Sequence, residues 1–381
     1  MSEIKKDKFG PEYVIEVYDP KIGMEGFLVI DNTTLGLGKG GIRMTPNVTR
    51  EEVFRLARVM TWKNALAGIP FGGAKAGIVW RGGSEELKQE FIRSFARAIK
   101  PFVPKKYIPG PDVNTTEREM RSFAEELGIW RSSTGKPADY CLENPKTGKK
   151  MCGLPHELGS TGFGVAHSAL IATEVAGFDI KNMTVAIEGF GNVGEFAFRH
   201  LQEMGAKIVA VSGSRGGIYD GNGLDLNILM NLKSQKKSVS EYPTGIKIGK
   251  GEILELPVDI LIPASVTDVI NESNKDKIKA KIIVEGANIP MRENIEDELF
   301  NKGIIIVPDF VANAGGVISS YAEYRGYNPD KMFQLVEKKL RACTKTVMKK
   351  SLAEKRNPRE VAMGVAINKI EKKVGLLAYS L

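Results

Sequence analysis

Apolar residues recur along the chain at two spacings, and each spacing predicts its own kind of element. Tyr-Val-Ile-Glu-Val-Tyr at 13–18 and Gly-Phe-Leu-Val-Ile-Asp at 26–31 read as strands, with turns at Asp19-Pro20 and Asp31-Asn32. The spacing then changes to three and four. Thr49 followed by Glu52 has the form of a capping box, and Val53, Leu56, Met60 and Ala67 share one face of the helix it opens. Lys63 falls on that same face. Gly68 ends the helix and Pro70 prevents its continuation. A second helix opens at Ser84, with Leu87, Phe91, Phe95 and Ile99 at helical spacing, and a third runs from Thr116 to Leu127. Between them, Tyr107 to Val113 is barred from helix by its prolines and presents Asp112 on a stiff loop. Lys136 to Lys150 is polar and reads as a surface loop, and a small-residue helix follows from Ser160 to Ala176.

The chain then becomes a run of buried strands. Met183 to Glu188 leads straight into Gly189-Phe-Gly191-Asn-Val-Gly194, a helix runs from Asn192 to Met204, and a strand follows from Lys207 to Ser212. A GxGxxG alone is weak, but here it sits at the first turn of a complete βαβ unit. Gly189 allows the tight turn, Gly191 lets the backbone meet a pyrophosphate, and Gly194 lets helix and strand pack closely. Asn192 and Val193 open the helix whose free N–H groups would hold that pyrophosphate. Further strands at 258–262, 281–284 and 304–307 continue a parallel sheet, and each ends in a polar or glycine-rich loop. Two helices broken around Arg356-Asn357-Pro358 close the chain. The fold class is therefore α/β in two domains.

Composition narrows the function. At 381 residues the chain exceeds one comfortable core, and 42% apolar with 26% charged residues is ordinary for a globular protein. There is no apolar run long enough to cross a membrane and no secretory signal at the N-terminus, so a cytoplasmic protein without a membrane partner is expected. Three cysteines without CxxC spacing argue against a disulfide framework or zinc site, and three histidines without HExxH spacing argue against a metal centre. The net charge of +8 is spread over short lysine clusters without interleaved aromatics, so no nucleic-acid partner is expected.

Candidate chemistry concentrates between Gly36 and Gly77. Lys39 and Lys75 stand in glycine-rich stretches read as turns, and Lys63 lies on the helix between them. Three ammonium groups among apolar residues suit a small molecule with more than one negative charge. For the nucleotide, the βαβ unit carries Gly213 where an acid would hold the ribose 2′-hydroxyl of NAD, followed by Ser214 and Arg215. Arg215 leans the choice towards NADP, with NAD left open.

These residues resemble the glutamate/leucine/phenylalanine/valine dehydrogenase family. The resemblance rests on Lys39-Gly-Gly-Ile-Arg43, Trp62-Lys-Asn-Ala65, Pro70-Phe-Gly-Gly-Ala-Lys75, Pro111-Asp-Val-Asn-Thr115, Gly189 to Gly194, Glu285-Gly-Ala-Asn288 and Ala312-Asn-Ala-Gly-Gly316, in family order. It implies a substrate-binding and oligomerisation domain at 1–157, a Rossmann NAD(P) domain at 158–328, and C-terminal helices at 329–381 returning to the first domain. It also implies a homo-hexamer. Matched position by position, Lys75 and Asp112 resemble the catalytic pair, Lys63 the lysine for the α-carboxylate, and Lys39 with Ser320 the pair that selects a γ-carboxylate. Asn313 would orient substrate, and Thr161 and Asn288 the nicotinamide. The implied reaction is reversible oxidative deamination of L-glutamate to 2-oxoglutarate and ammonium. A dehydrogenase of an apolar amino acid and a silent cofactor-binding subunit are the alternatives. Ala76 stands where the family usually has glycine.

Overall fold

The computed structural model describes residue 4, residues 6–143 and residues 145–378. They fall into two compact units. One holds the described residues up to Leu158 with Val317–Met332 and the end of the chain from Val365; the other holds Gly159–Gly316 and Phe333–Gly364.

The first unit is built on a five-stranded sheet in the order β1-β2-β4-β3-β5: β1 (Tyr13–Asp19), β2 (Met24–Asn32), β3 (Gly38–Thr45), β4 (Gly72–Val79) and β5 (Tyr107–Gly110). β1, β2 and β4 run antiparallel in succession, whereas β3 is parallel to both β4 and β5. Helix α1 (Arg50–Ala67) is capped by Thr49, whose side chain accepts from Glu52 N, and is ended by Gly68 in the left-handed conformation. Helices α2 (Glu85–Ile99) and α3 (Glu117–Leu127) start at Ser84 and at the Thr116–Glu119 capping box. Their apolar faces meet one side of the sheet, where Ile42, Met44, Ala74, Ala76 and Ile78 join Phe91, Phe95, Met120 and Phe123 in the core.

Several expectations are corrected here. The stretches around Lys39 and Lys75 are not turns but paired strands, buried almost throughout. Their glycines serve helix contact: a Cβ on Gly73 would lie 2.3 Å from Thr61 N, so only glycine admits α1 this close. Ala76 faces the core opposite Ile42 and Leu28, where its methyl group is packed. Asp31 and Asn32 end β2 and form no turn. The buried face of α1 runs through Val53, Ala57, Thr61 and Asn64, leaving Leu56, Met60 and Lys63 half-buried beside it. The segment read as a surface loop contains a hairpin, β6 (Cys141–Glu143) and β7 (Lys150–Cys152), closed by a Cys141–Cys152 disulfide. The cysteine count concealed this bond because one cysteine, Cys343, is left over.

The second unit opens with α4 (Ser160–Val175) and carries a seven-stranded sheet. β8 (Thr184–Glu188), β9 (Lys207–Gly213), β12 (Ile260–Pro263), β13 (Ile282–Val284) and β14 (Ile305–Val307) are parallel, in the order β9-β8-β12-β13-β14. Two antiparallel strands, β10 (Gly216–Tyr219) and β11 (Ile246–Ile248), extend it beyond β9. Helices α5 (Asn192–Glu203), α6 (Leu226–Ser234) and α7 (Glu293–Asn301) connect strands, and α8 (Asp309–Ala312) follows the last of them. α9 (Gly315–Tyr324), α10 (Pro329–Glu354) and α11 (Pro358–Ala378) complete the chain. Sheet order reverses between β8 and β12, the place where a doubly wound sheet opens a ligand crevice.

Candidate active site

In the first unit the chemistry follows from strand alternation. Lys39 pairs with Gly73 across β3 and β4, and side chains two apart on a strand share a face. Lys39 and Arg43 of β3 and Lys75 of β4 therefore project from the same side, while Ile42, Ala74 and Ala76 fill the core on the other. Lys75 Nζ lies 2.8 Å from Asp112 Oδ1, and Arg43 Nε lies 2.9 Å from Asp112 Oδ2. Arg43 Nη1 is held in turn by Glu52 Oε1 at 2.6 Å. The loop bearing Asp112 is fixed by Thr115, whose Oγ1 accepts from Asp112 N at 2.8 Å and donates to Ile42 O at 2.7 Å. Burial pushes the Asp112 carboxyl up, but Lys75 and Arg43 more than offset it and hold it below the usual carboxylate range.

Lys39 is only 3% exposed. Burial lowers its ammonium to about 7, Lys75 and Lys136 push the same way, and Glu323 opposes them. Its Nζ lies over Gly110, where a Cβ would come within 2.5 Å of it, so a side chain at position 110 would close this space. Lys63 is half-buried on α1. The neighbouring Asn64 donates to Gly72 O at 2.6 Å, which pins this end of the helix to the start of β4. Ser320 lies half-buried on α9, three residues before Glu323 and hence on the same helix face. Phe71 packs edge-on against Tyr321 and Tyr324 of that helix.

In the second unit, loops at the C-terminal ends of β8, β12 and β13 come together. Gly189 has φ near 100° and lies so close to Ser265 that a Cβ would be 2.8 Å from its side chain. A Cβ on Gly194 would meet Gly189 O at 1.9 Å, and one on Gly286 would lie 3.2 Å from Val193. Gly191 is different: a Cβ there meets nothing within 4 Å. It caps α5 without a side-chain hydrogen bond to the first turn, and Asn192 Oδ1 beside it is buried with no partner among the described residues. An uncapped helix start behind a backbone cradle fits a dinucleotide pyrophosphate. Asn313 Nδ2 donates to Asn288 Oδ1 at 2.9 Å, and Thr161 lies in the first turn of α4 beside Gly316. Ser214 and Arg215 are exposed just past β9, where Arg215 Nη2 donates to Lys236 O at 2.8 Å.

Four residues of this arrangement were absent from the sequence-based set. Arg43 alternates with Lys39 on β3, a relation that reading the glycine-rich stretch as a turn hides. Thr115 stood within a recognised motif without a role. Lys136 and Glu323 were hidden because a charged residue in a polar stretch gives no sign of burial; both side chains are fully buried and paired at 2.5 Å.

Two family models match the chain. Residues 153–375 match the family model described as Glutamate/Leucine/Phenylalanine/Valine dehydrogenase, and residues 11–128 match its companion, the Glu/Leu/Phe/Val dehydrogenase dimerisation domain. A glutamate dehydrogenase of Aeropyrum pernix is 41% identical over 89% of this chain and 83% of its own. An NADP-specific glutamate dehydrogenase of Saccharolobus shibatae is 40% identical over 82% of this chain and 75% of its own. Among solved structures, a glutamate dehydrogenase of Peptoniphilus asaccharolyticus superposes with a TM-score of 0.81 at 28% identity, covering 97% of this chain and 92% of that one.

Proposed function

The chain belongs to the Glutamate/Leucine/Phenylalanine/Valine dehydrogenase family, and we infer from its relatives and its lysines that it oxidatively deaminates L-glutamate, reversibly, to 2-oxoglutarate and ammonium. The observation that carries glutamate over an apolar amino acid is Lys39, a buried cation on the sheet face that also bears Lys75. A hydrocarbon side chain would leave that ammonium without a carboxylate in direct contact, whereas a γ-carboxylate would supply one. In this reading the first unit binds substrate and assembles the oligomer, a homo-hexamer, and the second binds the nucleotide.

NAD(P), held at the Gly189–Gly194 turn with Asn192 and Val193 and flanked by Thr161, Asn288, Ser214 and Arg215, would supply the hydride acceptor. The absence of an acid at Gly213 and the presence of Arg215 favour the 2′-phosphate of NADP. The remaining work belongs to side chains of this chain. Lys39 and Ser320 take the distal carboxylate, Lys63 the α-carboxylate, and Asn313 orients the amino-acid backbone. Fixing both ends of the substrate sets its Cα against Lys75 and Asp112. Asp112 rests as a carboxylate 2.8 Å from Lys75 Nζ, so it is ready to accept a proton. Lys75 passes a proton to Asp112 along that contact and, as the neutral amine, takes a proton from the water that attacks the substrate iminium carbon. Asp112 returns the proton to the departing amine, and Arg43 keeps the carboxylate turned towards Lys75. Initial rates with glutamate, leucine and phenylalanine, each with NAD and NADP, test the assignment. Glutamate with NADP should be the fastest pair, and preference for leucine or phenylalanine would overturn it.

A further inference from the structure

We propose that Lys136 and Glu323 are positioning residues for Lys39: Glu323 places a buried negative charge near the distal-carboxylate lysine, and Lys136 holds that carboxylate off it, leaving the lysine's donors to the substrate. The proposal rests on the reading of Lys39 given above and extends it to two residues that touch no reacting atom. Its geometry is a tight buried cluster within the first unit. Lys136 Nζ lies 2.5 Å from Glu323 Oε1 and donates to Ser133 O at 2.5 Å, with its ammonium 4.0 Å from the Trp130 ring centre. Glu323 Oε2 accepts from Gly135 N at 2.7 Å and from Leu154 N at 3.0 Å. These bonds hold the carboxylate in one position. Lys39 approaches the same cluster from the sheet. Its Nζ lies over Gly110, Thr134 borders that space, and the next residue after Thr134 is the Gly135 whose N–H holds Glu323.

The arrangement resolves a conflict that a buried binding lysine faces. Without a negative charge nearby, burial favours the neutral amine, which cannot bind a carboxylate as an ion pair. With a carboxylate in direct contact, the lysine is already occupied and the substrate must displace it. Here the ion pairs among the described residues give Glu323 to Lys136 and not to Lys39. Glu323 therefore acts on Lys39 at a distance, and its bonds to Lys136, Gly135 and Leu154 prevent it from swinging over. The three groups together carry one net positive charge, which matches one substrate carboxylate. The charged groups acting on Lys39 are Glu323 from α9, Lys136 from the segment after α3 and Lys75 from β4.

The test is calorimetric binding of glutarate and of pentanoate, which differ by the distal carboxylate, to the full chain between pH 6 and pH 9. Lys39→Met should abolish the preference for glutarate. Glu323→Gln should cut that preference about tenfold at pH 8 and move the pH at which it fades downward. Lys136→Met should move it upward and weaken glutarate near pH 6.5, because an untethered Glu323 competes for Lys39. Opposite directions from two partners of one ion pair are not produced by loosened packing. The double variant Lys136→Met/Glu323→Gln removes both buried charges at similar volume and keeps the test available if either single variant fails to fold. Its midpoint should fall between that of Glu323→Gln and the parent. Shifts in the same direction, or a double variant identical to the parent at every pH, would overturn the proposal. Unchanged glutarate binding in Lys39→Met would instead overturn the reading of Lys39 itself.

Discussion

At the scale of single residues, the site is a set of charges whose ionisation depends on their neighbours. Lys39 is the clearest case, because burial lowers its ammonium to about 7 while the unfolded chain keeps it near 10.4. Between those values the unfolded state binds more protons, so Lys39 makes the free protein more stable as pH rises. Substrate binding has the opposite sign, since the carboxylate needs the charged form. The kcat/KM for glutamate should therefore fall as pH rises above about 7, and Lys39→Arg, charged throughout, should flatten that limb. A limb of the same shape with an apolar amino acid would show that it belongs to another group. Asp112→Asn should lower kcat by about 10²–10⁴-fold while glutarate still binds, as expected of a proton-transfer group. Loss of glutarate binding in that variant would make Asp112 a structural residue.

At the scale of elements, a second charge network fixes the loop that carries Asn288. Arg359, in the first turn of α11, reaches Glu285 Oε2 at 2.9 Å, Glu296 Oε2 at 2.5 Å and Asp309 Oδ1 at 3.1 Å. Asp309 Oδ2 in turn accepts from Ile289 N at 3.0 Å, next to Asn288. Three carboxyls around one guanidinium cannot all ionise without excess buried charge. Burial and the neighbouring carboxylates push Glu285 well up, and burial lifts Glu296 to about 7. For a raised carboxyl the folded state binds more protons, so this contribution to stability is present below about 4.5 and is lost as pH rises towards 7. Arg359→Leu should destabilise the fold by about 3–5 kcal/mol at pH 7, measured by denaturant unfolding, and by less at pH 5 where Glu285 and Glu296 hold protons. An equal loss at both pH values would show that only packing was removed.

The elements themselves were largely legible in the sequence. Thr49 and Gly68 bracket α1, Ser84 opens α2, and Gly189 to Gly194 marks the βαβ turn, because caps and tight turns depend on local chemistry. The glycine strands β3 and β4 were not legible. Glycine weakens strands in isolation, and the reason for it here is the backbone of α1, which is remote in sequence. The Cys141–Cys152 bond and the Lys136–Glu323 pair failed for the same reason, since each is set by tertiary approach.

For the whole molecule, two compact units divide the work proposed for the chain. The family model over residues 11–128 is described as a dimerisation domain, and β1 is the outer strand of that unit's sheet, with Tyr13, Val14 and Tyr18 exposed. Sedimentation should give a mass of about 250 kDa for six chains of 41.7 kDa. Charged substitutions at Val14 and Tyr18 should lower it, and a monomer in the parent chain would contradict the assembly.

The decisive comparison is kcat/KM for glutamate and for norvaline, which has a methyl group in place of the γ-carboxylate, in the parent chain and in Lys39→Leu with NADP. The parent should favour glutamate, and the substitution should reverse that preference by about 10²-fold or more, since it removes the charge that answers the γ-carboxylate. Undiminished glutamate turnover in Lys39→Leu, or a parent chain that reduces neither NADP nor NAD with glutamate, would contradict it.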